Sequence, residues 1–493
     1  METRTGKFTI SADRSLSGEL RVAGRESLLV LHDDEFFHVG NEPSLCITGR
    51  LNDLMKVTLV DCVKVIGTST SIQGDVRAYS AELFPNFVLV GRNHLNPDDR
   101  AIRSIDFTLE DGFTLFYDFD AFGSVIDPAP HIQSIVRAND LGRTARIGSS
   151  PLIAYFAGER LIANVQTALG DIRVEHRPQW TAGGPRGVRI DNEIWLRLLP
   201  DEPINFHEAI ERTLRLLRFL ELIAGRPQSL PLLRITTGDS LPPDVLEVHW
   251  SHHPRRSEEH ESSFGGPHPA DLPLDPIRRP AEFADVLSRW LAADSERLAA
   301  RSRFQSSFAL QSYYTVDRLI GAANSFDLLP ESAVPDKVAL SNEIKDAKDR
   351  ARDLFTSLPH SFERSSMLGA IGRLGTASLK QKVRHRIGIL LPVSGSRFPE
   401  IERVCDHAVD CRNHFVHGSQ VKLIRGSPED NLGFLTDTLE FVFATSELVE
   451  AGWDALRFME TPTSMSHPFG LYRVNYADGL RALKEQLPAS PTD

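Results

Sequence analysis

Cysteine is scarce: Cys46, Cys62, Cys405 and Cys411 are the four in a chain of 493 residues, too few for a disulfide framework. None forms the C-x-x-C pair of a zinc ligand set, so reduced thiols in a cytoplasmic protein are expected. No run of about eighteen apolar residues exists, and the N-terminus METRTGKFTI lacks an apolar signal core, so neither membrane insertion nor secretion is expected. The templates G-x-x-x-x-G-K-[ST], H-E-x-x-H and G-x-S-x-G, and a G-x-G-x-x-G after a strand, are also missing. Their absence argues against an NTPase, a zinc protease, an α/β-hydrolase and a dinucleotide enzyme. A basic excess is missing too: the net charge of −12 is wrong for a protein that coats DNA.

What is present divides the chain. Its length exceeds one ordinary core. The acidic excess sits mainly in the first 280 residues, and the remainder is nearly balanced. Residues 1 to about 200 hold short β-branched or aromatic runs, among them residues 8–10, 18–22, 56–60, 87–90 and 105–109, punctuated by Asp111-Gly112 and Gly183-Gly184-Pro185. An antiparallel sheet or sandwich follows. The aromatic cluster Phe113, Phe116, Tyr117, Phe119 and Phe122 reads as part of its core rather than as a stacking surface.

Residues 205–224 switch to helical period and, stopped by Gly225 and Pro227, close the first domain. Residues 251–280, rich in Pro, His, Ser and charge, read as a linker or exposed loop. Its His252, His253, His260 and His268 lack cysteine partners and a helical frame, so no metal is assigned to them. From residue 281 the pattern is helical, with helices expected near 283–291, 314–329, 342–358, 379–391 and 432–453, and one carrying Arg412 with Pro399 in its first turn. The expected fold is α+β: a β-rich domain at 1–250, a linker at 251–280 and an all-α bundle at 281–493.

The stretch CDHAVDCRNHFVHG, residues 405–418, carries the chemistry. Arg-x4-His occurs twice, at Arg412/His417 and at Arg255/His260, so the spacing alone is uninformative. Context separates the pairs, because Arg255 lies in the linker whereas Arg412 follows the apolar stripe Val404, Ala408, Cys411 and precedes a helix-stopping Gly418. Residues five apart on a helix point roughly 140° apart. Convergence of Arg412 with His417 is therefore expected only through a helix break between them or where two copies of the motif meet.

Where the two do converge, imidazole exchanges protons near neutral pH and guanidinium holds a phosphate and offsets charge in the transition state. Such a pair suits metal-free RNA cleavage by 2′-hydroxyl attack, with Asn413 as a positioning group. The competing reading pairs Arg412 with Asp406 or Asp410 and leaves His417 as a helix cap. A second feature favours nucleic acid: residues 364–399 contain no acid but hold Lys380, Lys382, Arg384 and Arg386, expected as RNA contacts.

A β-rich half beginning FTISADRSLSGELRV and a helical half with RNHFVHG before one more long helix together resemble the ApeA family. These are bacterial anti-phage proteins with an ApeA-type N-terminal domain and a C-terminal HEPN domain. The resemblance implies that Arg412, Asn413 and His417 are the R-N-x-x-x-H catalytic motif of an endoribonuclease without cofactor. It further implies RNA, tRNA included, as substrate, 2′,3′-cyclic phosphate ends, and a homodimer formed through the HEPN domains. Abortive defence is the implied role, with the N-terminal domain restraining the nuclease or sensing a phage-derived trigger. The alternatives are a non-catalytic HEPN module that binds RNA or a partner in a toxin–antitoxin-like system, and a sugar-binding β-sandwich with a helical appendage.

Overall fold

The computed structural model describes residues 2–11, 14–40, 45–73, 76–138, 147–181, 187–238, 242–253, 266–335, 340–372 and 374–488. Contacts divide the chain into two compact units that interleave along the sequence. The first comprises 1–217, 227–261 and 274–288, and the second 218–226, 262–273 and 289–493.

The first unit is built on strands β1 (Glu2–Ser11), β2 (Arg14–Val22), β3 (Leu28–Asp33), β4 (Leu45–Leu51), β5 (Lys56–Gln73), β6 (Val76–Gly91) and β7 (Ile102–Phe107). Helix α1 (Gly112–Leu115), strand β8 (Phe122–Ser124) and helix α2 (Ala129–Ala138) follow. Then come β9 (Ala154–Phe156), β10 (Leu161–Thr167), β11 (Gly170–His176), β12 (Gln179–Thr181), β13 (Arg189–Asp191), β14 (Ile194–Leu199), the part of helix α3 (Phe206–Ala224) up to Leu217, β15 (Leu233–Thr237) and β16 (Asp244–Trp250).

Twelve of these strands make one antiparallel sheet in the order β10-β11-β14-β7-β15-β16-β6-β3-β2-β1-β4-β5. Because β5 also pairs with β6, the strands from β6 round to β5 close into a barrel. Strand β6 can serve both parts because it is long: Tyr79 to Leu83 pair with β3, and Phe87 to Val90 pair with β16. Period-two alternation puts Leu16, Leu20, Leu29, Leu31, Val57, Leu59 and Leu83 inside the barrel, around Phe8. A Cβ at Gly18 or Gly49 would lie 2.9 or 2.7 Å from the Phe8 ring, so both glycines make room for that side chain.

Three expectations need correction here. Helix α3 does not close the domain, because β15 and β16 follow it and insert between β7 and β6. Both are short strands flanked by turn residues, which gives too few alternations to register as a period. The stretch read as a linker is packed where it is described: Leu272 and Leu274 are buried, and the Asp271 carboxylate accepts from the backbone N–H and hydroxyl groups of Ser464 and Ser466. Arg255 and His260 lie outside the described residues. The aromatic cluster is not a core: Phe116 is buried, but Phe113, Tyr117 and Phe119 are exposed. They sit on α1 and the turn after it rather than on a sheet face, and among the described residues no second layer covers them.

The second unit contains part of α4 (Pro280–Ala292), then α5 (Asp294–Phe308), α6 (Val316–Asp327), α7 (Asn342–Ser357), α8 (Phe362–Gly372), α9 (Leu379–Ser394), α10 (Ile401–His417), α11 (Leu432–Glu450), α12 (Ala455–Glu460) and α13 (Pro468–Lys484). No helix among the described residues is long and apolar enough to cross a membrane. Helix α11 is buried along nearly its whole length.

Its three glutamates, Glu440, Glu447 and Glu450, fall at i, i+7 and i+10 and so share one face. Each meets arginines from neighbouring helices. Glu440 takes Arg318 of α6 bidentately at 2.7 and 3.0 Å. Glu447 takes Arg301 of α5 at 2.9 Å and Arg386 of α9 at 3.0 Å, and Glu450 takes Arg386 at 2.6 Å. Arg301 also reaches Asp294 at 3.1 Å and lies over the Trp290 ring. Nearby Asp437 accepts from the Tyr314 hydroxyl at 2.8 Å. Burial, with the Glu440 charge adding to it, pushes the Asp437 carboxyl up to about 7.

Removing one member of a buried ion pair leaves an uncompensated charge, so Arg386→Ala should cost about 3–5 kcal/mol in denaturant unfolding. It should leave the salt dependence of RNA binding unchanged; a shallower salt slope would restore Arg386 as an RNA contact. For Asp437 the folded pKa lies above the unfolded value. Its contribution to stability is therefore fully present below about pH 4 and lost as pH rises through about 7. Asp437→Asn should raise the melting temperature relative to the native chain at pH 8 and leave the two nearly equal near pH 4; an equal gain at both would contradict this.

Candidate functional site

Helix α10 carries Arg412, Asn413 and His417 on its last two turns. Its stripe Val404, Ala408 and Cys411 is fully buried, which fixes the helix rotation and leaves Arg412, one residue past Cys411, at the edge of the buried face. Gly418 ends the helix at φ 69°, and its N–H bonds the His414 carbonyl at 2.8 Å.

The helix runs unbroken through the motif, yet Arg412 Nη1 stands 3.4 Å from His417 Nε2 within one chain. The expectation that convergence needs a helix break or a second copy is thereby corrected. Five residues advance about 7.5 Å along the axis, and an arginine is long enough to cover that rise and to curl round the helix. Since guanidinium only donates, the Nε2 facing it presents its lone pair.

Two amide oxygens hold the guanidinium. Asn324 Oδ1, on α6, accepts from Arg412 Nη2 at 2.7 Å and Nε at 3.2 Å, and Asn413 Oδ1 accepts from Nη1 at 3.0 Å. Among the described residues no carboxylate pairs with Arg412. Asp410 is bound by Lys380 at 2.7 Å, and Asp406 is bound by both Arg384 Nε, at 3.0 Å, and its Nη2. The competing reading, in which Asp406 or Asp410 neutralises Arg412, is therefore not what the structure shows. The cation keeps its full charge, is oriented by neutral groups, and sits beside an exposed imidazole.

The four expected RNA contacts separate. Arg386 is wholly buried in the Glu447–Glu450 network, which removes it from any RNA surface and corrects that expectation. Lys382 is tied to Asp327 at 3.2 Å. Lys380 and Arg384 remain partly exposed and paired to α10, rungs of a ladder between antiparallel helices. A nucleic acid at this face would exchange phosphates for those carboxylates rather than meet free cations.

Asn324 is the residue that sequence reading missed. The available signal was a lone amide in Gly321-Ala322-Ala323-Asn324-Ser325-Phe326, a run of otherwise small or apolar residues on α6. The register of α6 is fixed six residues earlier by the buried Arg318–Glu440 pair and by the Thr315 N-cap. One residue before Arg412, Cys411 Sγ lies 3.4 Å from Nε2 of His407, one turn further back. Burial pushes the thiol up to about 12 and holds the imidazole below its usual range, so this pair is structural.

Asn324→Asp keeps the shape of the contact but supplies a carboxylate that neutralises Arg412. It should weaken phosphate binding at this site, read by 31P NMR titration, by more than Asn324→Ala does. Equal losses would mean that Asn324 acts through packing alone.

Residues 3–290 match the family described as ApeA N-terminal domain 1, and residues 320–456 match the one described as Apea-like HEPN. No curated protein and no solved structure matches the chain. On the strength of a match spanning more than half its length, the chain belongs to the ApeA family of defence-related HEPN nucleases.

Proposed function

We propose that this protein is a metal-independent endoribonuclease of anti-phage defence, with Arg412 and His417 as its catalytic pair. The observation that carries the reading is the 3.4 Å approach of His417 Nε2 to a guanidinium held by Asn324 and Asn413 and, among the described residues, by no carboxylate. His417, with its Nε2 lone pair directed to the site, takes the proton of an RNA 2′-hydroxyl. The resulting oxyanion attacks the adjacent phosphorus. Arg412 binds the non-bridging oxygens and offsets the charge that grows on them. The 5′-oxygen leaves with a proton, giving a 2′,3′-cyclic phosphate and a 5′-hydroxyl.

In-line displacement places the attacking and leaving oxygens on opposite sides of phosphorus. One imidazole therefore cannot serve both at once. A second copy of the chain, meeting the first at α10, supplies the acid in this reading, as the family resemblance implies. Asn413 and Asn324 are positioning residues. The N-terminal unit restrains the nuclease or senses a phage-derived trigger.

Purified chain incubated with total RNA and tRNA in EDTA should yield cyclic-phosphate ends. His417→Ala and Arg412→Ala should each lower cleavage by about a hundredfold or more with melting temperature unchanged. Undiminished cleavage by His417→Ala would overturn the assignment. RNA binding without cleavage, in both the native chain and the variants, would leave a binding module instead.

A further inference from the structure

The exposed aromatic residues of the first unit line a cleft of about 590 Å³, within the range of small-molecule sites. Its walls include Phe113, Phe116, Tyr117, Phe119, Phe122 and Tyr155. Tyr155 lies across β8 because position 123 is glycine: a Cβ there would fall 2.6 Å from the tyrosine hydroxyl. The polar groups are Asp118, Asp120, His176 and Asn192, and among the described residues no lysine or arginine lines the cleft.

His176 is 3% exposed, yet its Nε2 has no hydrogen-bond partner; the nearest oxygen of Asp118 stands 3.6 Å away, beyond reach. Asn192 Oδ1 is likewise unpartnered, while its amide nitrogen lies 2.9 Å from His176 Nδ1. A buried polar atom without a partner costs stability, and two lining one cleft point to a ligand.

The chemistry of that ligand follows from these groups. Two carboxylates and no cation repel phosphates and organic acids. Burial holds the His176 imidazole below its usual range, so it is neutral near pH 7. Whichever way the Asn192 amide is turned, one of the two orphan atoms donates and the other accepts. An ammonium group satisfies the acceptor alone, whereas a hydroxyl satisfies both. Asp118 adds a carboxylate able to accept from vicinal hydroxyls, and the aromatic rings offer faces for the C–H side of a saturated ring. We propose that this cleft is a binding site for a neutral sugar ring, whether in a glycan or in a nucleoside.

Binding is independent of the nuclease reading and is measured directly. The full chain is titrated by saturation-transfer NMR and calorimetry with glucose, galactose, N-acetylglucosamine and maltotriose in one arm, adenosine and uridine in a second, and choline in a third. Saturable binding of a probe in the first or second arm is expected, and the arm identifies the source. Phe119→Ala and Asp118→Asn should each weaken it about tenfold. Phe36→Ala, an exposed aromatic of the same unit outside the cleft, should not. The proposal is overturned if no sugar or nucleoside binds at up to about 20 mM, where weak sites still register. Binding of choline alone, or affinity untouched by both cleft variants, overturns it equally.

Discussion

The helical unit depends on one constraint: acids on α11 that are buried and must be matched. Glu440, Glu447 and Glu450 cannot be left unpaired in the interior, so α5, α6 and α9 must each deliver an arginine to one face of α11. Hydrophobic packing alone would tolerate rotation or sliding of these helices. Bidentate ion pairs do not, because a guanidinium two residues out of register would face a wall of Phe441, Val442 and Phe443. The gain is specificity of arrangement rather than net stability, since desolvation offsets much of the Coulomb attraction.

That arrangement reaches the candidate site. The Arg318–Glu440 pair sets α6, and α6 presents Asn324 to Arg412. Arg384 and Lys380 of α9 occupy the carboxylates of α10 that would otherwise neutralise Arg412. The main feature of the site, a cation oriented by amides next to an imidazole and paired with no carboxylate among the described residues, is thus a result of how neighbouring charges are paired. Within the first unit the analogous role belongs to β6, whose length lets one strand belong to a closed barrel and to an open sheet at once.

Much of this was legible in the chain itself. The bounds of α3 and α11 followed from apolar period, because each buries a continuous stripe, and those of α7 from a polar helical pattern although it buries no residue; α10 begins at Ile401, so Pro399 precedes it rather than standing in its first turn. The Arg412–His417 motif was found for the same reason: Gly418 and the Val404–Ala408–Cys411 stripe located it at a helix end. What misled was the treatment of side chains as vectors from an ideal helix. The 140° separation is real for Cβ atoms and irrelevant to an arginine tip several bonds away. Charge reading failed for Arg386 because an acid-free window says nothing about acids 61 and 64 residues further on, and its partners lie on α11. The aromatic cluster at 113–122 was misassigned because composition reports apolar area and not whether a second layer exists to cover it.

By itself, the sequence determined the class and order of the two parts, the helix that bears the motif and the family, since these rest on local periodicity and contiguous residues. Tertiary structure decided which charges are free, that Asn324 belongs to the site, that the strands after α3 return to the sheet, and that an aromatic run lines a cleft. Those are matters of what lies opposite each side chain in space, and no local pattern encodes a partner far along the chain.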